Sequence, residues 1–276
     1  MAWSGPSGVG HPVLASQVRG APAGPRPWLV WLHGLLGSGA DWQAQLPGFA
    51  DYPCLTVDLP GHGASQAVNA SSLAEVNALL GATLQQRGIQ HYWLIGYSLG
   101  GRIASYHATQ GRAGAPAPAG LCGLIVEAAH PGLDEADQRA ERLRHDHGWA
   151  QRLRHEPLAP VLADWYQQPL FADLSPAQRT ALVARRSANQ GARVAMLLEA
   201  CSLGHQPPLA QALSALALPF AFICGTRDAK FQALAQQHHF PVHRIDQAGH
   251  NAHAANPAAF STTIHHLLNR RTHQHV

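Results

Sequence analysis

At 276 residues, with 46% hydrophobic and 13% charged side chains, the chain suits one large α/β domain with an inserted cap and is too apolar to be disordered. A formal charge of +3 points to neither nucleic acid nor a membrane surface, and no apolar run reaches transmembrane length. The N-terminal stretch has no basic n-region and no apolar h-region, so the expected address is cytoplasmic.

Residues 1–27 are rich in Gly, Pro and Ala and are expected to hold an edge strand around residues 13–18. Trp28-Leu29-Val30-Trp31-Leu32 is an unbroken apolar run, as in a strand covered on both faces. It ends in His33-Gly34-Leu35-Leu36-Gly37-Ser38-Gly39, which matches neither G-x-G-x-x-G nor a lysine-bearing phosphate loop. A His-Gly turn just past an early strand can carry an oxyanion-hole amide, which here would be the N–H of Leu35. A strand at Leu55-Thr56-Val57 runs into Asp58-Leu59-Pro60-Gly61-His62-Gly63, where Asp58 and His62 read as structural turn residues. Leu73, Val76, Leu79, Leu80 and Leu84 give residues 72–87 helical spacing, with Ser71 or Ser72 as N-cap and Gly88 as the stop.

Residues 92–95 form the next apolar run, and it meets Gly96-Tyr97-Ser98-Leu99-Gly100 before residues 102–110 continue as a helix. This is the pattern of a nucleophile elbow, a sharp strand-to-helix turn that lifts a serine hydroxyl out of the sheet. It sets the Leu99 N–H at a helix N-terminus, where it can stabilise a developing negative oxygen. Residues 111–120 are a low-complexity, exposed loop, and Leu124-Ile125-Val126 restores a strand.

From residue 133 to 208 no strand pattern appears; helices are expected at 139–154, 158–167 and 176–201. This block reads as a helical cap inserted into a core of residues 1–132 and 209–276, roofing the sheet edge where open α/β sheets bind ligands. Strands resume at 220–224, followed by Gly225-Thr226-Arg227-Asp228, and at 242–245, followed by Ala248-Gly249-His250. Residues 257–269 close the fold as a helix. The alternation predicts the α/β-hydrolase fold, a mostly parallel sheet with helices on both faces. Cys54, Cys122, Cys201 and Cys224 have no C-x-x-C spacing and read as reduced core residues.

Ser98, Asp228 and His250 each follow a predicted strand, in the chain order Ser…Asp…His of α/β hydrolases. Asp228 would fix the imidazole tautomer and His250 would accept the Ser98 proton. The triad alone does not name the reaction. A serine hydrolase acting on a carboxylated substrate shares it, and a binding protein on this fold would show it broken.

Several segments beyond the triad resemble the 2-succinyl-6-hydroxy-2,4-cyclohexadiene-1-carboxylate synthases of menaquinone biosynthesis. They are Tyr97 to Arg102, Val126-Glu127-Ala128-Ala129-His130-Pro131-Gly132-Leu133, Gln138-Arg139-Ala140-Glu141-Arg142, Ala163-Asp164-Trp165-Tyr166-Gln167-Gln168-Pro169 and Ala248-Gly249-His250-Asn251-Ala252-His253. The resemblance implies elimination of pyruvate from a small tricarboxylate, with no metal and no organic cofactor, and with Ser98 as a general base. It further implies that Arg102, Arg142 and Arg186 hold carboxylates and that Tyr97, Trp165 and Tyr166 lie beside the substrate. Guanidinium forks match carboxylates. From the residues alone, though, most arginines of 139–154 belong to a solvated helix face, and Arg185 rivals Arg186. The expected state is a monomer with a small-molecule partner and no nucleic acid.

Overall fold

Seven strands form one sheet in the order β1-β3-β2-β4-β5-β6-β7, parallel except for the edge strand β1. The computed structural model describes residues 12–20 and 24–269, so the His-rich tail after 269 lies outside the described residues. The strands are β1 (Ser16–Arg19), β2 (Trp28–Leu32), β3 (Cys54–Val57), β4 (Tyr92–Tyr97), β5 (Leu121–Glu127), β6 (Phe220–Gly225) and β7 (Val242–Ile245). The helices are α1 (Leu73–Gln86), α2 (Leu99–Thr109), α3 (Ala136–His155), α4 (Leu158–Trp165), α5 (Pro176–Arg186), α6 (Gly191–Ala200), α7 (Ala210–Ser214), α8 (Ala229–Gln237), α9 (Ala252–Ala255) and α10 (Pro257–Asn269).

The apolar strands are buried on both faces because alternate side chains enter two separate cores. Val30, Leu32, Leu94, Val126 and Phe222 point to the side covered by α1, α2 and α8. Leu29, Trp31, Ile95, Ile125 and Ile223 point to the side of Trp42, Phe49, Phe260 and Ile264. The alternation holds every central strand in register, since a one-residue slip would exchange the two cores. Strand order turns back between β2 and β4, which pair from Trp28↔Tyr92 to Leu32↔Gly96. Their C-terminal turns therefore lie side by side at the switch point where such sheets bind ligands.

Helices α3 to α6, where the cap is expected, pack around a third core of Ala150, Leu153, Val161, Leu162, Val194, Ala195 and Leu198, whereas Leu213 of α7 belongs to the first core. One member of that core, Leu36, comes from the turn after β2. The single helix expected over 176–201 is two helices, α5 and α6. The break has a local cause: Asn189 donates from Nδ2 to the carbonyls of Arg186 and Leu36, and Gly191 lies directly on the Leu153 carbonyl, where no Cβ fits. The short helix α8, which has no strong periodic signal, follows Asp228 as its N-cap. At α1 the N-cap is Ser72, whose Oγ accepts from the Glu75 N–H at 3.1 Å. Cys54, Cys201 and Cys224 are buried thiols pushed up to about 11, 12 and 11 by burial, so they are inert packing groups.

Candidate active site

Ser98 sits at φ 50°, ψ −111°, in the left-handed half of backbone space that a residue with a Cβ rarely enters. The surroundings impose it. Its N–H donates to the Glu127 carbonyl at the end of β5 (2.9 Å), and its carbonyl accepts the Arg102 N–H that starts α2 (2.9 Å). Gly100 must lack a side chain because a Cβ there would lie 2.5 Å from the His33 carbonyl oxygen. That close approach brings the elbow against the turn after β2.

The turn after β2 is braced by the residues that sequence reads as merely structural. Leu36, at φ 67°, donates its N–H to His62 Nε2 (3.0 Å), and Leu59 donates to His33 Nε2 (3.0 Å). Both rings must be neutral to accept through Nε2, and burial lowers both, His62 to about 3. Asp58 accepts from the Gly39 N–H (2.7 Å) and Asp41 from the Ser38 N–H (3.3 Å). The Leu35 and Leu99 N–H groups have no hydrogen-bond partner among the described residues, and both residues line one cavity. Two unpaired amides on rigid, adjacent turns are what an oxyanion site requires.

His250 Nδ1 lies 3.1 Å from Asp228 Oδ2, with both side chains almost fully buried. Asp228 is fixed by its other oxygen, which accepts the Phe231 N–H at 3.2 Å as the N-cap of α8. The imidazole packs between Phe231 (5.0 Å) and Tyr97 (5.3 Å). No hydrogen bond joins Ser98 Oγ to His250 among the described residues; such contacts commonly tighten only with substrate bound. A second pair, not singled out in the sequence, lies behind it. Glu127 accepts from the His253 backbone N–H (3.0 Å) and contacts His253 Nδ1 (2.7 Å), tying the His250 loop to β5.

The cavity holds about 720 Å³ and is lined by the three triad residues, Leu35, Leu99, Tyr97, Trp165, Arg102 and Arg142. Arg102 is buried and donates to Gln206 Oε1 and the Cys201 carbonyl, both at 2.6 Å. Burial and then the charge of Arg142 lower it to about 10, which leaves it charged at neutral pH. Arg142 pairs with Asp146 at 2.8 Å while remaining a third exposed. Arg186 does not line the cavity. It is buried in a two-pronged ion pair with Asp41 (2.8 and 2.8 Å), with Tyr166 beside it, and Tyr166 is also absent from the cavity wall. Arg185 points outward to solvent. Sequence reasoning assigns no role to His130 and Gln138, which lie in segments that carry the resemblance, and passes over Lys230 in the cavity wall and Gln206 behind Arg102, which sit in no motif singled out in the sequence.

The chain matches the family described as alpha/beta hydrolase fold over residues 27–257. It is 55% identical over 252 residues to the 2-succinyl-6-hydroxy-2,4-cyclohexadiene-1-carboxylate synthase of Pectobacterium atrosepticum, covering 91% of this chain and 98% of that protein. It is 51% identical over 256 residues to the synthase of the same name from Serratia proteamaculans, covering 93% and 98%. Among solved structures it is similar to MenH from S. aureus, with a TM-score of 0.83 at 25% identity over 93% of this chain and 98% of that one. The enol-lactonase from Burkholderia xenovorans shares the fold, with a TM-score of 0.72 at 18% identity over 92% and 96%.

Proposed function

The chain belongs to the 2-succinyl-6-hydroxy-2,4-cyclohexadiene-1-carboxylate synthases, α/β hydrolases by fold, and from that premise we propose how it works. It is a carbon–oxygen lyase of menaquinone biosynthesis. Its substrate is 2-succinyl-5-enolpyruvyl-6-hydroxy-3-cyclohexene-1-carboxylate, and its products are pyruvate and the cyclohexadiene for which the family is named. The enzyme is a cytoplasmic one acting on a small tricarboxylate. The cap comprises residues 133–208 and the core the remainder.

Ser98 removes a proton from the ring, and its own proton passes to His250 Nε2. Asp228 holds the imidazole tautomer and stabilises the imidazolium. Charge from the broken C–H bond is delocalised onto the succinyl carbonyl oxygen, facing the Leu35 and Leu99 amides. The electrons then form the second ring double bond as the C–O bond to the enolpyruvyl group breaks. The proton held by His250 returns to the leaving group, which ends as pyruvate. Arg102 and Arg142 hold carboxylates in the cavity, and Tyr97 and Trp165 flank the ring. Arg186 belongs to the binding machinery through Asp41 and the Leu35–Ser38 turn, with Tyr166 packed beside it.

The observation that carries this reading is one cavity holding an Asp228–His250 pair, Ser98, two unpaired amides and charged arginines. Incubation with the trianionic cyclohexene should release pyruvate stoichiometrically with product. Rapid-quench mass spectrometry should find no adduct on Ser98. A kinetically competent acyl-enzyme would instead make Ser98 a nucleophile and the protein a hydrolase.

A further inference from the structure

Lys230 is an exposed side chain on the cavity wall, two residues after Asp228. It is the second residue of α8, in the first turn, whose Phe231 N–H is capped by the Asp228 carboxylate. It lines the cavity together with Arg102, Arg142 and His130. Its only described side-chain contact is with a ring, Nζ lying 5.7 Å from the Phe231 centroid. Desolvation and then the Arg142 charge lower its pKa, against the opposing pull of Asp228, and Lys230 in turn heads Arg102 and Arg142 among the charges that disfavour protonated His130. Four side-chain cations, Arg102, Arg142, Arg227 and Lys230, thus line the cavity beside Glu141, Asp173 and Asp228, and His130, held near 3, stays neutral.

The arithmetic of charge sharpens this. A substrate with three carboxylates calls for three fixed cations, since each carboxylate leaves well-solvating water. Arg186, the third arginine implied by the resemblance, already holds both oxygens of Asp41 and lies outside the cavity wall. We propose that Lys230 is a specificity-determining contact, a cation that receives one carboxylate of the substrate alongside Arg102 and Arg142. The inference rests on the synthase reading above and deepens it. An ammonium suits this place because it offers a compact charge without demanding a planar two-pronged fit, so it can serve a carboxylate on the flexible succinyl or enolpyruvyl arm.

The test is steady-state pyruvate release by Lys230→Gln, Lys230→Arg and Arg185→Gln at several ionic strengths, with folding checked by circular dichroism. Lys230→Gln should raise KM at least about tenfold, change kcat less than about threefold, and flatten the salt dependence of kcat/KM. Lys230→Arg should recover most of the lost affinity, because it restores the charge. Arg185→Gln, which removes the same charge from an outward position, should match the wild type. An unchanged KM in Lys230→Gln, or a loss in kcat alone, overturns the proposal while pyruvate release by the wild type leaves the synthase reading standing. A wild type that releases no pyruvate overturns both.

Discussion

Ser98 spends backbone strain to expose one hydroxyl, and its neighbours hold it there through the Glu127 carbonyl and the start of α2. Replacing it with Ala keeps the Cβ and every backbone hydrogen bond, so the protein should fold while losing the proposed base. We expect Ser98→Ala and His250→Ala each to lower kcat by about a thousandfold or more, measured as pyruvate release in single turnover. Near-normal turnover in folded Ser98→Ala would remove it from the mechanism. Arg102→Ala should lower kcat/KM at least about tenfold, the low end for stranding a buried carboxylate partner. Gln206→Ala, which frees Arg102 Nε of its 2.6 Å contact, should reproduce part of that loss through KM. The candidate triad is legible in the chain because each member follows an apolar strand within a few residues. Gln206 and Lys230 are not, since they come from loop and helix positions that only the folded chain brings to Arg102 and the cavity wall.

The turn from His33 to Gly39 is where sheet and cap meet. Leu36 lies at φ 67° and places its side chain in the cap core, against residues of α3, α4 and α6. Its carbonyl accepts from Asn189, and three residues beyond Ser38 Asp41 holds Arg186 of α5. This turn is thus keyed to α3–α6 by one apolar side chain, one amide and one ion pair. Both partners of that pair are about nine-tenths buried, so removing one strands the other charge, at a typical cost of about 3–5 kcal/mol. We expect Arg186→Gln to destabilise by about 3 kcal/mol in urea denaturation and to lower kcat as well as raise KM. The companion Asp41→Asn in the same background should cost much less than it does alone, and simple additivity would break the proposed link. Periodicity announced α3 and α10 to within a few residues, but it ran α5 and α6 together. Nothing in residues 187–190 forbids a helix locally; the break is set by Leu36 and Leu153, which lie elsewhere in the chain. Asp58 and His62 were read correctly as turn residues, yet their importance comes from what the turn holds, the backbone beside Leu35.

Across the whole molecule, several histidines are folded in as neutral groups, and this sets its response to acid. His62 is held near 3, His107 near 4 and His130 near 3, burial being the leading cause in each, and His33 is lowered in the same way. In the unfolded chain all of them return to about 6.5. Above that value they are neutral in both states, and their contribution to stability is fully present. As pH falls below 6.5 the unfolded chain takes up protons that the folded chain refuses, so stability is lost progressively down to pH 3–4. Each such group contributes about 1.4 kcal/mol per pH unit well inside that window. Three or more acting together can consume a typical folding stability of about 5–15 kcal/mol within two or three units. His107 is the clearest probe, because it lies far from the catalytic turn, between Tyr92 OH (2.8 Å) and Asn77 Oδ1 (2.7 Å). Urea denaturation at pH 7.5, 6.0 and 5.0 should show constant stability in the upper range and a steep fall between the lower two. His107→Gln keeps a polar group in the gap but cannot titrate, so it should be less stable at pH 7.5 yet flatter by about one proton in its slope below pH 6. A wild-type stability that stays level from pH 7.5 to 5.0 would show that these rings are protonated in the folded protein, and with that the neutral His62 acceptor behind the Leu36 amide would fall too.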